Sequence, residues 1–362
     1  MGMPEINILF KTLAKTADIR SARGVACIIL KDSTAEGKYV YTRLKQITQT
    51  FDEDNLSLIK EAFNKYGVSK LIVYAIHQTE TDGSTTDDET LEEVLKKLKK
   101  VEINYLACNF NLTKSDITLL KEFKETRVKN NIDLQIIAND EADDEYFLNF
   151  VSTGIKINGV AIESHRFMCK LAFVFASIPQ TESATFYVFD DVTDVDEIEN
   201  EDEAVEAGKL FITFDGEKYK LSRAVNSKTT LGANEKKDLK KIKIVEGRIL
   251  VKGDIYKVFR DKYVGKCNND YNDRLSLVSE INRYLTNLAY EGILNIDYNN
   301  RVELDADAMR DYMETELDID TSDMKDIDVL KVAEGLCGSK VFIKGQVRFV
   351  DAMEDMDLVL YM

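Results

Sequence analysis

Cysteine is sparse and scattered, at Cys27, Cys108, Cys169, Cys267 and Cys337, an odd number with no Cys-x-x-Cys pair. That spacing builds neither a disulfide framework nor a zinc ribbon, so the thiols are expected to be small buried side chains in a reducing compartment. Tryptophan is absent and proline occurs twice; neither scarcity points to a mechanism. No apolar run approaches the roughly 18 residues that a membrane helix needs. The opening MGMPEINILFKTLAKT lacks the charged start, apolar stretch and small-residue cleavage site of a signal peptide. Ile6 stands where a myristoylation signal requires Ser or Thr. The chain is therefore expected to be soluble and to be made and folded in a cytoplasm. Bases are also in deficit, 48 against 65 acids, for a net charge of −17. A phosphate backbone would be repelled, which argues against general nucleic-acid binding while leaving room for a local basic patch.

The motifs of catalysis are missing as well. There is no GxxxxGK[ST], no GxGxxG between a strand and a helix, and no GxSxG elbow. Gly335-Leu-Cys-Gly338 precedes a strand, the wrong order for a phosphate cradle at a helix N-terminus. Only His77 and His165 are available for acid–base work. His77 ends an apolar strand, where α/β enzymes often place catalytic groups, and His165 lies at the expected start of a helix. Without a supporting motif, both are expected to be structural. Asp190–Glu206 holds ten acids and no base, but DVTDVDEIENED lacks the calcium-loop spacing and its glycine. A solvated acidic face is the expectation.

What is present is a run of apolar segments alternating with amphipathic ones. Strands are expected at Val25–Leu30, Leu71–Ile76, Ile103–Ala107, Leu134–Ala138 and Phe186–Phe189, with Thr79–Glu89 as a polar loop. Helices are expected at Asp54–Tyr66, with Leu56, Ile59, Phe63 and Tyr66 on one face, at Thr90–Lys100, and at Lys114–Lys129 behind a Thr113–Asp116 capping box. This alternation argues for an α/β layer structure with a largely parallel sheet. After Gly216 the character changes. Asn234–Gly247 reads as a basic helix carrying Lys236, Lys237, Lys240, Lys241 and Lys243, and further helices are expected at Asp273–Glu291 and Ala306–Leu317. Both ends are extended: Ile6, Ile8 and Phe10 follow Pro4 in one short strand. Val341, Ile343, Val347 and Phe349 alternate with polar residues before the apolar tail Leu358–Tyr361. Isolated terminal strands need a sheet to join, in their own chain or a neighbour.

Four stretches in order resemble the tail sheath proteins of contractile phages, especially those of Gram-positive phages, prophages and phage-tail-like bacteriocins. They are the PEINILF opening, Arg20–Asp32 (RSARGVACIILKD), Ala224–Leu231 (AVNSKTTL) with the following KKIKIVE, and Gly338–Gly345 (GSKVFIKG) running into Asp351–Asp355. The likeness extends from about residue 3 to the C-terminus. It implies a mixed-sheet, multidomain α+β and α/β sheath fold: an N-terminal arm at 1–20, a subtilisin-like α/β domain at 21–222, a helix-rich C-terminal domain at 223–340, and C-terminal strands and arm at 341–362.

Functionally, the resemblance implies a structural subunit that stacks in hexameric rings around an inner tail tube. On triggering, the rings contract and drive the tube through a target envelope. It implies no catalysis, no cofactor and no metal. The partners would be other copies of the chain, the tube, and the baseplate and tail terminator proteins, with no nucleic acid and no membrane insertion. The place would be a virion or bacteriocin tail assembled in a bacterial cytoplasm. Ile6, Ile8, Phe10, Val341, Ile343, Val347, Phe349, Leu358 and Leu360 would form arm strands that extend to neighbouring subunits, with Lys11–Arg23 as a hinge. Lys236, Lys237, Lys240, Lys241 and Lys243 would face an acidic tube, or else belong to an ordinary solvated or core-packed helix. The competing readings are another structural tail component and a hydrolase-like α/β enzyme.

Overall fold

The computed structural model describes residues 24–81, 84–233, 235–332, 336 and 338–361. The expected first arm with Ile6, Ile8 and Phe10, and the expected hinge at Lys11–Arg23, lie outside the described residues. Two compact units divide the chain, the first ending at Glu246 and the second beginning at Gly247.

The first unit is built around strand β1 (Val25–Asp32). Its run VACIILKD is apolar without alternation because the strand is buried on both faces. Ala26, Ile28 and Leu30 point into one core, and Val25, Cys27 and Ile29 into the other. After β2 (Gly37–Tyr41) and α1 (Glu53–Asn64), β3 (Lys70–Thr81) pairs parallel with β1 in an eight-residue register from Val25↔Lys70 to Asp32↔His77. The expected loop after His77 is instead a ribbon, since β3 continues to Thr81 and pairs antiparallel with β4 (Ser84–Asp87). Next come α2 (Leu91–Leu98), β5 (Tyr105–Cys108), α3 (Lys114–Lys129), β6 (Gln135–Ala138) and β7 (Phe147–Phe150). Two short antiparallel strands, β8 (Lys156–Ile157) and β9 (Val160–Ala161), lead into α4 (Ser164–Ser177). The unit is completed by β10 (Val192–Asp194), α5 (Glu201–Glu206), β11 (Lys209–Leu210) and the hairpin β12 (Ile212–Phe214) and β13 (Tyr219–Leu221).

The main sheet has the order β11-β7-β6-β5-β1-β3-β2, all parallel except β2, with β4 on the outer part of β3. Helices cover both faces. Leu58, Ile59 and Ala62 of α1 and Phe167–Ala176 of α4 pack on one side; Val94, Leu95 and Leu98 of α2 with Ile117, Leu120 and Phe123 of α3 pack on the other. The α1 face is centred on Leu58 and Ala62, with Leu56 and Phe63 half-buried at its edge. α4 is apolar on all sides because it is enclosed on all sides, and its one buried cation, Lys170, is paired with Glu61 at 2.5 Å.

The Phe186–Phe189 segment does not join this sheet. It runs beside β13, bonded through Phe186 N to Leu221 O and Phe189 N to Tyr219 O, and the parallel strand in that part of the sheet is β7. Phe186 has φ +59°, a left-handed value that interrupts an extended strand.

On the α2–α3 side, one buried cation holds two helix ends. Arg127 is 0% exposed and donates to the carbonyls of Leu98 (3.1 Å), Val101 (2.7 Å) and Ile132 (3.1 Å). Arg127→Met keeps the bulk and removes the donors: Leu98 O keeps its bond from Val101 N, but the carbonyls of Val101 and Ile132 lose the guanidinium that holds them. We expect a loss on the order of 3 kcal/mol, read as a lower urea midpoint at unchanged slope.

The second unit contains the rest of α6 (Ile242–Val258), which begins in the first unit, then a single π turn at Phe259–Tyr263 and α7 (Tyr271–Tyr290). Leu250 and Val251 meet Leu277, Ile281, Leu285 and Leu288 of α7 in its main core. Gly292 (φ +75°) ends that helix as its position suggests. β14 (Arg301–Leu304), α8 (Ala306–Glu316), α9 (Asp326–Val332) and β15 (Ile343–Gln346) follow. Met309, Met313 and Val329 form a second small core, where Arg310 donates to the carbonyls of Thr321 and Met324.

Candidate assembly surfaces

The C-terminal strands are the best-defined surface. β15 pairs antiparallel with β14 of its own chain, Arg301↔Gln346 through Leu304↔Ile343. The pairing resumes past a break: Asn295 N donates to Arg348 O, Val350 N to Ile293 O, and Leu294 bridges Phe349. Val341, Ile343 and Phe349 pack against the core of the second unit, while Val347 is partly exposed. The alternation in Val341–Phe349 is thus satisfied within one chain, because its apolar side has a core beneath it.

Gly345 explains one glycine of the GSKVFIKG stretch. A Cβ there would stand 2.5 Å from Val302 Cγ1 and 2.6 Å from Arg301 O, so any side chain would force the two strands apart. Among the described residues the β14–β15 ribbon has only these two strands, so its stability rests on its packing against the core of the second unit. Beside it lies a groove of about 320 Å³ lined by Asn299, Arg301, Glu303, Lys344, Gly345 and Gln346.

Beyond Val350 regular structure stops. Residues 351–361 form no helix or strand, and Met353, Met356, Leu358, Val359, Leu360 and Tyr361 are each at least 66% exposed. So many large apolar side chains uncovered in one segment exceed what singly scattered surface residues account for. The sequence pointed to Leu358 and Leu360 but missed the two methionines, which lie outside the Leu358–Tyr361 run. It also missed β14, whose Arg-Val-Glu-Leu alternation is short and weak.

The lysine-rich segment does not form the single helix expected at Asn234–Gly247. A 3-10 turn covers Lys237–Lys240, Lys241 is extended and bridges Val225, and α6 starts only at Ile242. The five lysines therefore do not share a face. Lys236 and Lys237 are exposed, Lys240 and Lys241 are half-buried, and Lys243 is buried with its Nζ donating to Thr181 O at 3.0 Å. Lys243 turns inward because Ile242, Ile244 and Val245 on either side of it are also buried.

The preceding AVNSKTTL stretch is a clamp. Asn226 donates from its backbone to Lys240 O and from its side chain to Leu239 O, so it sets the course of the lysine turn. Ser227 Oγ donates to Asp144 O. The Asp143 carboxylate accepts from Thr230 N and Thr229 N, and those hydrogen bonds hold its carboxyl well below the usual range.

At the other motif, Gly24 (φ +93°) enters β1 beneath the end of α4, where a Cβ would lie 2.0 Å from Ala176 O. Asp32 ends the strand and is fully buried. One carboxylate oxygen accepts from Thr34 N (2.9 Å) and Ala35 N (2.8 Å), the other from Asp52 N (3.0 Å) and Asn55 Nδ2 (2.9 Å). Burial pushes this carboxyl up, but the hydrogen bonds from Asn55, Thr34, Ala35 and Asp52 outweigh it and the net direction is down.

The two histidines sit apart from any nucleophile–base pair among the described hydrogen bonds. His77 Nδ1 is 2.7 Å from Asp88 at the base of the β3–β4 ribbon, and His165 Nδ1 is 3.3 Å from Asn111 Oδ1. The hydrogen bond to Asp88 raises the His77 pKa, whereas burial lowers that of His165. The raised value means that the His77–Asp88 contact stabilises the ribbon below the unfolded histidine value, about 6.5, and is lost as pH rises through the folded one. Asp88→Asn is expected to shift the His77 titration downward in NMR; an unmoved titration would show that Asp88 is not its cause.

No helix of the described residues is long and apolar enough to cross a membrane, and no group of three or more His, Cys, Asp or Glu among them is placed to hold a metal ion.

Comparison with known proteins places these features in context. The model of the phage tail sheath C-terminal domain family matches residues 234–362. The crystal structure of a sheath tail protein from Desulfitobacterium hafniense is similar in fold, with a TM-score of 0.65 at 15% identity over 79% of this chain and 90% of that one. The helical sheath of the anti-feeding prophage in its contracted state is similar at TM-score 0.64 and 13% identity, covering 94% of this chain and 93% of that one. The tail sheath protein of Clostridium phage phiCD119 is 30% identical over 371 residues, which takes in 100% of this chain and 99% of the relative. A likeness of that extent, from end to end, makes the chain a member of the phage tail sheath protein family.

Proposed function

We propose that this sheath protein polymerises on itself as stacked hexameric rings around an inner tail tube, and contracts to drive the tube through a target envelope. Its role is mechanical and non-catalytic. Its other partners are the tube, baseplate and tail terminator proteins, and its place is a virion or bacteriocin particle assembled in the host cytoplasm. The sheet with α1 and the enclosed helix α4 on one face and α2 and α3 on the other suits the subtilisin-like description of the first unit.

The observation that carries the reading is the pairing of supply and demand within one chain. A two-stranded ribbon with a groove beside it lies in the same unit as a segment, 351–361, that bears apolar side chains and makes no strand of its own. Strand addition from a neighbour would serve both, with backbone hydrogen bonds giving strength and alternate side chains fixing register. Leu358 and Leu360 are the donor side chains on this reading, with Ile6, Ile8 and Phe10 at the other end. Lys236 and Lys237, with Lys240 and Lys241 behind them, are the electrostatic contact to an acidic tube, and such contacts release without uncovering a large apolar face.

Negative-stain microscopy of the purified chain, with tube protein supplied as nucleus, tests the reading. Wide hollow tubes are expected from the full chain and none from a variant lacking Met1–Phe10. Monomers from the full chain even with tube protein would overturn the assembly reading.

A further inference from the structure

Asn158-Gly159 is the one Asn-Gly pair in the sequence. It forms the two-residue turn between β8 and β9, with Ile157↔Val160 as the closing pair and φ values of +50° and +80°. Both are left-handed, as a type I′ hairpin turn requires, which is why Asn and Gly occupy it. The turn is exposed, and nothing lies within 4 Å of where a Cβ on Gly159 would be.

The same pair is chemically labile. The Gly159 backbone nitrogen, once its proton has gone to a solvent base, can attack Cγ of Asn158. The new N–C bond closes a succinimide, the Cγ–Nδ2 bond breaks, and ammonia leaves. Water then opens the ring at either carbonyl, giving aspartate or isoaspartate. Glycine favours the attack because no side chain hinders the nucleophile.

The fold occupies that nucleophile. Gly159 N donates to Thr193 Oγ1 at 3.0 Å, and the Thr193 hydroxyl in turn lies 3.3 Å from Lys156 O as donor. Asn158 N is held separately by Asp191 O at 2.9 Å, and Tyr219 fixes the Thr193 carbonyl at 3.1 Å. Attack requires the Gly159 hydrogen bond to break and the turn to open. We propose that Asn158 is a deamidation site of this protein and that the Thr193 hydroxyl is its guard. Opening of β10 away from the turn sets the rate. The product would place a new negative charge beside Asp191, and in the isoaspartate form would add a backbone atom that the two-residue turn cannot absorb.

Peptide mapping by mass spectrometry of the full chain, aged at mildly alkaline pH, tests this. The tryptic peptide Ile157–Arg166 contains no other asparagine, so conversion there reports Asn158 alone. Asn158 is expected to convert faster than the other asparagines. Thr193→Val is expected to speed it about fivefold, the factor that one hydrogen bond of about 1 kcal/mol supplies. Thr193→Ser keeps the hydroxyl and should keep the slow rate. In urea all three chains should convert at one common rate, which isolates the contribution of the fold. Equal rates for wild type and Thr193→Val in the folded state, or conversion at Asn158 no faster than elsewhere, would overturn the proposal. Should Thr193→Val fail to fold, amide hydrogen exchange of wild-type Gly159 decides it: protection is expected, and exchange at the rate of an open peptide would refute the guard.

Discussion

A chain ended after Val350 is expected to fold as the full chain does and to form no sheath-like tubes. The segment removed, 351–362, contributes no strand or helix among its described residues, and its large apolar side chains face solvent. Its loss should change folding stability by less than about 1 kcal/mol, as surface changes do. Its loss from an assembly is far larger. Met353, Met356, Leu358, Val359, Leu360 and Tyr361, at about 1.5–3 kcal/mol for each side chain fully buried, represent on the order of 10 kcal/mol of gross association energy. That is comparable with the estimated cost of immobilising one subunit on another, so removing it leaves little to drive polymerisation. Thermal unfolding by circular dichroism and negative-stain microscopy separate the two effects. Leu358→Asp with Leu360→Asp preserves chain length and should reproduce the assembly loss. Tubes from the shortened chain would show that the tail is not the donor, and a collapsed melting curve would show that it belongs to the fold.

Asp32→Ala is expected to be the most damaging single substitution for folding, at roughly 3–5 kcal/mol, the range for breaking a buried charged network by removing one partner. Three backbone N–H groups, of Thr34, Ala35 and Asp52, and the Asn55 amide would lose their acceptor inside the protein. Asn55 also donates to Lys31 O and accepts from Asn109, so the damage spreads from β1 to the start of α1 and the end of β5. Asp32→Asn keeps one acceptor oxygen and should lose less. The pH dependence has a defined sign. Because the folded carboxyl titrates below its ordinary value of about 3.9, its contribution is complete above that pH and disappears as acid is added through the folded value. Urea midpoints across acidic pH should therefore converge for wild type and Asp32→Asn as the carboxylate protonates. A difference under 1 kcal/mol between wild type and Asp32→Ala at neutral pH would contradict this account.

Asp32 and Gly24 also show how the sequence and the structure share the explanation. Both lie in the RSARGVACIILKD stretch that carried the family resemblance, yet nothing in the string says why they are there. The structure shows a steric reason for Gly24, a carbonyl where a Cβ would be, and an electrostatic one for Asp32, a cluster of donors that converge on its carboxylate. Asn226 and Ser227 in the AVNSKTTL stretch have the same character, since their partners, Leu239 and Asp144, come from other segments.

Elements specified locally were legible. Helix α3 runs from Lys114 to Lys129 as read, because Thr113 and Asp116 cap each other's backbone and the apolar period is regular between them. The cores of β1 and β3 were legible because a strand buried on both faces shows as an unbroken apolar run. Elements specified by what surrounds them were not. Phe147–Phe150 is a short strand following an acidic stretch, and only its place between β6 and β11 makes it one. Phe186–Phe189 has a more strand-like composition but is diverted to β13. Lys243 reads as one more surface cation and is buried, because α6 begins one residue earlier and turns that position inward.

The sequence by itself determined the class of protein, its layered α/β first half, its helical second half and the apolar character of its C-terminal tail. The class came from the resemblance of four stretches in order; the rest follows from local periodicity, capping and composition, which act over a few residues. Only the tertiary structure decided which extended segments are satisfied within the chain and which are left open. Val341–Phe349 finds β14 and a core beneath it, whereas 351–361 finds neither. Backbone pairing and burial depend on residues distant in sequence, so nothing within either segment says that one closes a ribbon over a core while the other keeps its apolar side chains exposed.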